Sequence, residues 1–490
     1  MKILQVSIHV TMTDIVSNLL LLCVCSGLAT LVYAQPSPLS EAVCSRYYSV
    51  NNNTISLGDG GGLAKQTMDA TAAYAYYDPL FQSYAAMLVM YQQVGSAIGD
   101  IINRSAPTLD TVVPRPSLTS IYSFVFVNTA GSPAPLFKLT VPNVPAGVTY
   151  YSVSILDGYT EQLLPTLSNQ EENDETTDDL ETFYVYGRGY DASQLPQSSL
   201  SYECRTQYCW ILNRFAITAN STDQINRIQE WQSELSIEAS PGGMNEYLQP
   251  VTIPMLLKLR SANSDIESFF NLVNTLSVDS PPGRLADKEL LDSFQSVNVG
   301  PGETFSLDSF DEDVQEEMKI IPECFKRMLR DAQIGYPAGP GWTYSPPTGI
   351  YLNYLDRAYI SLVGLGATVP AELTYASTGP LMGAHRMDFG PDDYPDAWQW
   401  SLTPYNQTGN IVPNPYNIYS VNNRSPNLNV SADGGLAVVF QETPPKFEKG
   451  INWVPIPGNR TLYNILFRIT LGGKDVLDRT YQVPGIFAIQ

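Results

Sequence analysis

A chain of 490 residues, 44% hydrophobic and 16% charged, has apolar material for roughly two to four packed domains, which excludes general disorder. Its formal net charge of −22 repels phosphate backbones and so disfavours nucleic-acid binding. Solubility is sufficient reason for that charge.

Residues 1–34 read as a secretory signal. Lys2 gives a basic start, Ile15–Val32 is mostly apolar, and Val32-Tyr33-Ala34 has the small-residue cleavage form, leaving Gln35 as the mature start. An uncleaved anchor is the alternative, because the apolar run nearly reaches spanning length. No later stretch is long and apolar enough to span a bilayer. Cys23 and Cys25 leave with the signal, and Cys44, Cys204, Cys209 and Cys324 stay. An even number in an exported chain suggests two disulfides, with three connectivities open. Cys204 and Cys209 bracket Arg205–Tyr208 between strand-like runs, the spacing of a hairpin staple, which leaves Cys44 for Cys324. A metal site of all four lacks the paired close spacings such sites use. Sequons at Asn52, Asn103, Asn220, Asn406, Asn429 and Asn459 predict glycans on exposed loops in a eukaryotic host. Asn423 is the weakest, since Pro426 follows its sequon.

Residues 35–67, rich in Pro, Ser, Asn and Gly, form an arm or linker. Met68–Val94 reads helical, with Asp78-Pro79 as N-cap and first-turn proline of a second helix. Ala73, Tyr77, Phe81, Tyr84, Leu88 and Tyr91 recur at helical steps as a core-facing stripe. From Val112 the period changes to two. Ile121–Asn128, Leu136–Val141, Tyr150–Leu156, Phe183–Gly187 and Trp210–Thr218 are short β-rich runs at sandwich-like spacing. With the helix they make a first domain over 68–221. The acidic stretch Asn169–Glu181 lacks the alternating ligands and central Gly of a calcium loop, and reads as a solvated loop.

Thr222–Ser236, Met255–Val278, Asp287–Val297, Ser309–Gln333 and Tyr351–Leu365 predict a helical subdomain over 222–366. Asp308, Asp311 and Asp313 favour a helix start there through the N-terminal dipole rather than calcium. The segment 367–490 holds three alternating runs, Asp396–Tyr405, Gly435–Gln441 and Thr461–Ile469, separated by Asn, Asp, Gly and Pro. They predict a β-sandwich or jelly-roll-like sheet pair.

Several motifs in this order resemble a two-part family known as domain of unknown function 1254 and domain of unknown function 1214, over roughly residues 68–488. Arg115-Pro116 followed by Ile121-Tyr122-Ser123 resembles its Arg-Pro-Asn-x-Asp-x-x-Tyr-Ser run. Tyr150-Tyr151-Ser152-Val153 to Leu156-Asp157-Gly158-Tyr159-Thr160 resembles its Tyr-Tyr-Ser-Val…Asp-Ala-Tyr strand, and Trp210-Ile211-Leu212-Asn213-Arg214 its Trp-Ile-Leu-Gly-Arg. Val299–Phe305, Gly341-Trp342, Tyr354-Leu355-Asp356-Arg357-Ala358, Gly383-Ala384-His385-Arg386, Trp400–Thr403, Ala432–Gly434 and Asn452–Pro457 have counterparts too. The resemblance implies a mainly β fold: an N-terminal immunoglobulin-like sandwich, central helices and a C-terminal jelly-roll-like β-sandwich. It carries fold rather than function. Ser117 and Thr119 replace the family's Asn and Asp after Arg-Pro, and the acidic loop replaces a Gly/Arg/Thr-rich turn.

Chemistry is sparse. His385 is the one histidine beyond the signal, which excludes multi-His metal centres, and a structural role suits it better than a catalytic one. No Gly-x-Ser-x-Gly, Walker loop, dinucleotide fingerprint or His-Glu-x-x-His is present, so the sequence calls for no cofactor and no metal. Asp157, Arg115, Arg214 and Arg357 lie among apolar neighbours. They predict either a buried Arg–Asp network or a site that grips a carboxylate or sulfate by bidentate bonds. Trp210, Trp400 and Trp453 are candidates to stack on a sugar, against the commoner role of core aromatics. The leading expectation is a secreted glycoprotein that binds a carbohydrate or small anionic ligand at the domain junction. The alternatives are a metal-independent hydrolase or lyase using Asp157, Tyr122 and Tyr159, and a structural coat glycoprotein.

Overall fold

The computed structural model describes residues 41–489 apart from 108, 110, 111, 143–149, 164–166, 169–181, 198, 218–221, 241–252, 262, 263, 284, 331, 447 and 459. The predicted signal, the acidic stretch Asn169–Glu181, Asn220 and Asn459 therefore lie outside the described residues. The fold is built mostly from β-sheets, arranged as two sheet pairs with helices between them.

The long helix Lys65–Val94 is the hub. The sequence predicts a stripe, but Ala70, Ala73, Tyr74, Tyr76, Phe81, Met87 and Met90 are all buried, covering every side. A helix apolar all round belongs inside a core. It packs on the helices Ile266–Asp279, Lys288–Phe294, Ile321–Arg330 and Tyr354–Gly364. The expected break at Asp78-Pro79 does not occur. Pro79 stands inside one continuous helix, and the Asp78 carboxylate accepts from Gln82 and Ser361 instead of capping. Interior proline costs about 3 kcal/mol; packing on all sides outweighs that local signal. The helix stops at Gly95 (φ 68°), where Ser96 N–H bonds back to Tyr91 O at 3.1 Å, the six-to-one closure of a Schellman turn.

In the first sheet pair, Ile102–Asn103, Ser120–Asn128, Tyr208–Ala216, Tyr151–Leu156 and Leu167–Ser168 lie in that order in one sheet. Ser236–Ala239, Leu136–Thr140, Thr182–Gly187 and Leu200–Cys204 make the other. Between them pack Val125, Val127, Phe137, Val185, Ile211 and Phe215. The region extends past the predicted boundary at 221. Helix Thr222–Glu234 inserts Ile228 and Trp231 into this core, and Ser236–Ala239 pairs with Leu136–Thr140. Likewise Tyr336–Gly339 and Trp342–Tyr344, predicted within the helical subdomain, extend the C-terminal sheet. That six-stranded sheet continues through Leu373–Thr378, Tyr463–Gly472, Ala397–Asn406 and Val421–Asn422. It faces the four-stranded sheet of His385–Phe389, Leu436–Phe440, Ile451–Val454 and Ile486–Ala488 across Trp400, Phe389 and Phe467.

Cys44 and Cys324 are bonded, but Cys204 and Cys209 are free, buried thiols. Leu200–Cys204 pairs with Thr182–Gly187, whereas Tyr208–Ala216 pairs with Ser120–Asn128 in the opposite sheet. The intervening turn crosses between sheets rather than closing a hairpin, so the spacing that suggests a staple has no paired register behind it.

Among the described residues no helix is long and apolar enough to cross a membrane. Asn52 and Asn103 are exposed, and Asn406 is half-buried with its Oδ1 capping the turn to Asn410. The Asn103 amide donates to Gln232 O, and that of Asn429 to Glu448 O and Ile451 O, so a glycan at either would break those bonds.

Candidate functional site

Residues two apart on a strand share a face. In the antiparallel pair Ser120–Asn128 and Tyr208–Ala216, Tyr122 stands opposite Arg214, Phe124 opposite Leu212 and Phe126 opposite Trp210. The alternate residues Ile121, Val125, Ile211 and Phe215 fill the first core, so this second set faces outward. The C-terminal sheet repeats the pattern. Tyr375 is opposite Arg468 and Ser377 opposite Leu466, while Ala376 and Phe467 point into the third core. These two outward faces, with Ile360 and Val363 of helix Tyr354–Gly364, Met90 of the long helix and the loop at 112–117, line a cavity of about 160 Å³.

Arg104, Arg115, Arg214 and Arg468 all line this cavity, and among the described residues no Asp or Glu does. Arg214 is 8% exposed and donates to Ser154 Oγ (2.6 Å) and Gly366 O (2.5 Å). Arg468 is 5% exposed and donates to Tyr405 Oη (2.8 Å) and Arg115 O (2.5 Å). Neutral acceptors orient both guanidiniums, and neither lies within 4.0 Å of a described carboxylate. A buried cation without an anion is costly, which makes the cavity complementary to a negative group.

Arg115 has φ 53°, a left-handed backbone that costs a non-glycine residue about 1–3 kcal/mol. Its N–H is held by Gly409 O (2.7 Å) and its carbonyl by Arg468, so two elements fix the strained loop at the rim. Gly366 (φ 78°) passes so near the Trp210 ring that an added Cβ would lie 2.9 Å from it. The Trp210 ring stacks on Phe126 at 5.0 Å, and its indole N–H is buried without a partner. Burial raises the Tyr375 hydroxyl pKa, opposed by the Arg214 and Arg468 guanidiniums, so this phenol stays protonated.

Of the predicted site residues, the cavity gathers Arg115, Arg214, Trp210 and Tyr122. Ser117 also lines it, bonded within 3.3 Å of Thr119. The others lie elsewhere. Arg357 is 2% exposed, pairs with Glu161 at 3.2 Å, and sits over the Tyr76 and Tyr159 rings at 4.8 and 5.1 Å. Asp157 Oδ1 accepts the N–H groups of Tyr159 and Glu161, each at 2.9 Å, tying the turn that follows Tyr151–Leu156. That network joins the first sheet pair to the helices, away from the cavity. Trp400 stacks on Phe389 inside the C-terminal core, Trp453 donates to Gln441 O at 2.9 Å, and His385 Nδ1 meets Tyr463 Oη at 3.0 Å. All three are buried packing residues. Arg104, Arg468 and Tyr375 were not singled out by sequence. The available signal for Arg468 was a lone cation inside the apolar strand Tyr463–Gly472.

Burial, then the neighbouring Glu161, lifts Asp157 to about 7 from an ordinary 3.8. With the folded value raised, its contribution to stability is full below pH 4 and lost as pH rises through 7. Asp157→Asn keeps the acceptor oxygen without the charge. Relative to the parent, its melting temperature is therefore expected to be higher at pH 7.5 than at pH 4.5; equal offsets at both would refute this.

Among the described residues no group of three or more His, Cys, Asp and Glu side chains is placed to hold a metal. Residues 100–239 match the model described as protein of unknown function (DUF1254), and residues 370–472 the one described as protein of unknown function (DUF1214). The first match ends with the last strand of the first sheet pair, and the second ends with strand Tyr463–Gly472. Among solved structures the chain is similar to the VPA0106 protein of Vibrio parahaemolyticus, with TM-score 0.54 and 15% identity over 87% of this chain and 100% of that one. An uncharacterized protein of Burkholderia cenocepacia gives TM-score 0.41 and 14% identity over 85% and 89%. The first likeness speaks to the fold alone. No curated protein matches the sequence.

Proposed function

The chain belongs to the two-part family formed by the DUF1254 and DUF1214 domains, and from that premise we propose that it binds a small anionic ligand in the cavity between its sheet pairs. One observation carries the reading. In a chain of net charge −22, the cavity wall holds four arginines, and no described carboxylate lines it or lies within 4.0 Å of Arg214 or Arg468. Two of those guanidiniums are buried and already oriented by neutral acceptors, which is how a site is prepared for a charge-assisted, bidentate contact. The place fits as well, since ligand pockets favour domain junctions.

The carbohydrate arm of the expectation has less support. Trp400 and Trp453 are committed to the core, and only Trp210 reaches the cavity. The hydrolase or lyase alternative has less support too, because Tyr122 lines the cavity while Asp157 and Tyr159 do not. Export with glycosylation at Asn52 completes the proposal, supported by the leader-like stretch 1–34 and the exposure of Asn52. The finer architecture we read as immunoglobulin-like for the first sheet pair and jelly-roll-like for the second, supported by sheets that are antiparallel but for one parallel strand pair in each sheet pair and that close on separate cores.

A thermal melt against neutral, acidic and sulfated small molecules tests the binding. Ligand at a hundred times its dissociation constant adds about 2.7 kcal/mol, a rise of a few degrees. Anions are expected to raise the melting temperature and neutral sugars to leave it unchanged; a response to neutral sugars alone would overturn the reading.

A further inference from the structure

The charge of the cavity implies an anion; the order of residues along its walls implies what the anion is attached to, a step that rests on the proposed binding. Along the first wall the row Tyr122–Arg214 is followed by Phe124–Leu212 and then Phe126–Trp210. Successive rows are about 7 Å apart. On the opposite wall the row after Tyr375–Arg468 brings Leu466, and the helix between adds Ile360 and Val363. One row is therefore cationic, and in the next the first wall offers no hydrogen-bonding side chain and the opposite wall only the Ser377 hydroxyl. A polar anion such as a sugar acid would satisfy the first row and lose the hydration of its hydroxyls at the second.

We infer that the ligand is a small amphipathic monocarboxylate, an aromatic acid or a short-chain fatty acid. Its carboxylate lies between Arg214 and Arg468, and its apolar body covers Phe124, Leu212 and Ile360. Each guanidinium has five N–H donors and has given two to protein acceptors, so both keep donors for the carboxylate. The size agrees. A cavity of about 160 Å³ compares with the roughly 150 Å³ apolar cavity that holds one benzene ring. One ring or a short alkyl chain also spans the step between the two rows.

The test is a thermal melt of the full secreted chain with phenylacetate and octanoate, their neutral counterparts 2-phenylethanol and octanol, and glucuronate and sulfate. It is repeated with Arg214→Met, Arg468→Met and Ile360→Trp. The expected result is a rise with the two apolar acids only, at least tenfold weaker in both Met variants. If either Met variant does not fold, Ile360→Trp still decides, because filling the apolar end is expected to abolish the response to phenylacetate. A rise with glucuronate or sulfate but not with the apolar acids overturns this inference and leaves anion binding standing. Equal rises with the alcohols and the acids overturn both, and so does no rise with any probe.

Discussion

Lys326→Met is expected to lower the unfolding free energy by about 3–5 kcal/mol, the cost of removing one partner from a buried charge group. Lys326 is 2% exposed on helix Ile321–Arg330, and Asp78 is fully buried on the long helix. Lys326 Nζ donates to Leu259 O (2.9 Å) and Ser261 O (2.6 Å), and Gln82 links Asp78 (3.1 Å) to Arg260 (3.0 Å). Burial raises the Asp78 pKa and lowers that of Lys326, each opposed first by the charge of the other. Without Lys326 the carboxylate loses its strongest counter-charge, and two carbonyls lose their donor. The companion test is Asp78→Leu with Lys326→Met. Removing both charges leaves nothing uncompensated, so the double variant is expected to be more stable than Lys326→Met alone. Urea unfolding at constant m measures both. A loss below about 1 kcal/mol for Lys326→Met, or a double variant no better than the single, would show that the two groups act independently. The pH dependence follows in sign. A raised folded pKa for Asp78 means stability falls as pH climbs above 3.8, and Lys326→Met extends that fall to higher pH.

Arg260 carries this buried group toward the cavity, since its Nη2 donates to Val112 O (3.0 Å) and Val112 lines the site. The sequence made the scaffold readable and the site only half so, for reasons specific residues show. Period-two alternation in Ser120–Asn128 and Tyr208–Ala216 identifies the strands, yet when both faces are buried it does not say which face meets a cavity. Arg115, Arg214 and Arg357 give the same signal, a cation among apolar residues. Only the fold shows that Arg357 pairs with Glu161 whereas Arg214 has no described carboxylate within 4.0 Å. Arg468 gave that signal too, within a run read as an alternating strand. Pro79 and the pair Cys204 and Cys209 misled for a shared reason. Local rules assume that neighbours in sequence decide, and here a packed hub helix and a turn between opposite sheets decide instead. Trp400 and Trp453 went the other way, since alternation places such residues in a core and the core holds them.

Cys44→Ser with Cys324→Ser is expected to cost about 3–5 kcal/mol, because the bond closes a loop between residues 280 apart and long loops gain most from closure. The bond ties the arm at Glu41–Cys44 to helix Ile321–Arg330, next to the contact of that helix with the hub. Other contacts dock the same arm: Tyr47 Oη donates to Glu317 O (3.1 Å), Tyr48 Oη to Thr71 O (2.7 Å), and the Tyr48 ring meets Phe325 at 5.5 Å. The folded state therefore keeps its arm when the cysteines are gone, and the loss acts chiefly by freeing the unfolded chain. Two readouts separate these effects. Denaturant unfolding of the double Ser variant is expected to move to lower midpoint, while protease cutting in the arm under native conditions stays unchanged. Fast cutting there would instead mean that the disulfide alone docks the arm. Alkylation before and after unfolding gives the matching control. Cys204 and Cys209 are buried thiols, so they are expected to react only once the chain is unfolded, whereas Cys44 and Cys324 require reduction as well. A second bonded pair in the native protein would restore the staple that the spacing of Cys204 and Cys209 suggests, and would place a covalent link between the two sheets whose outward face carries Arg214.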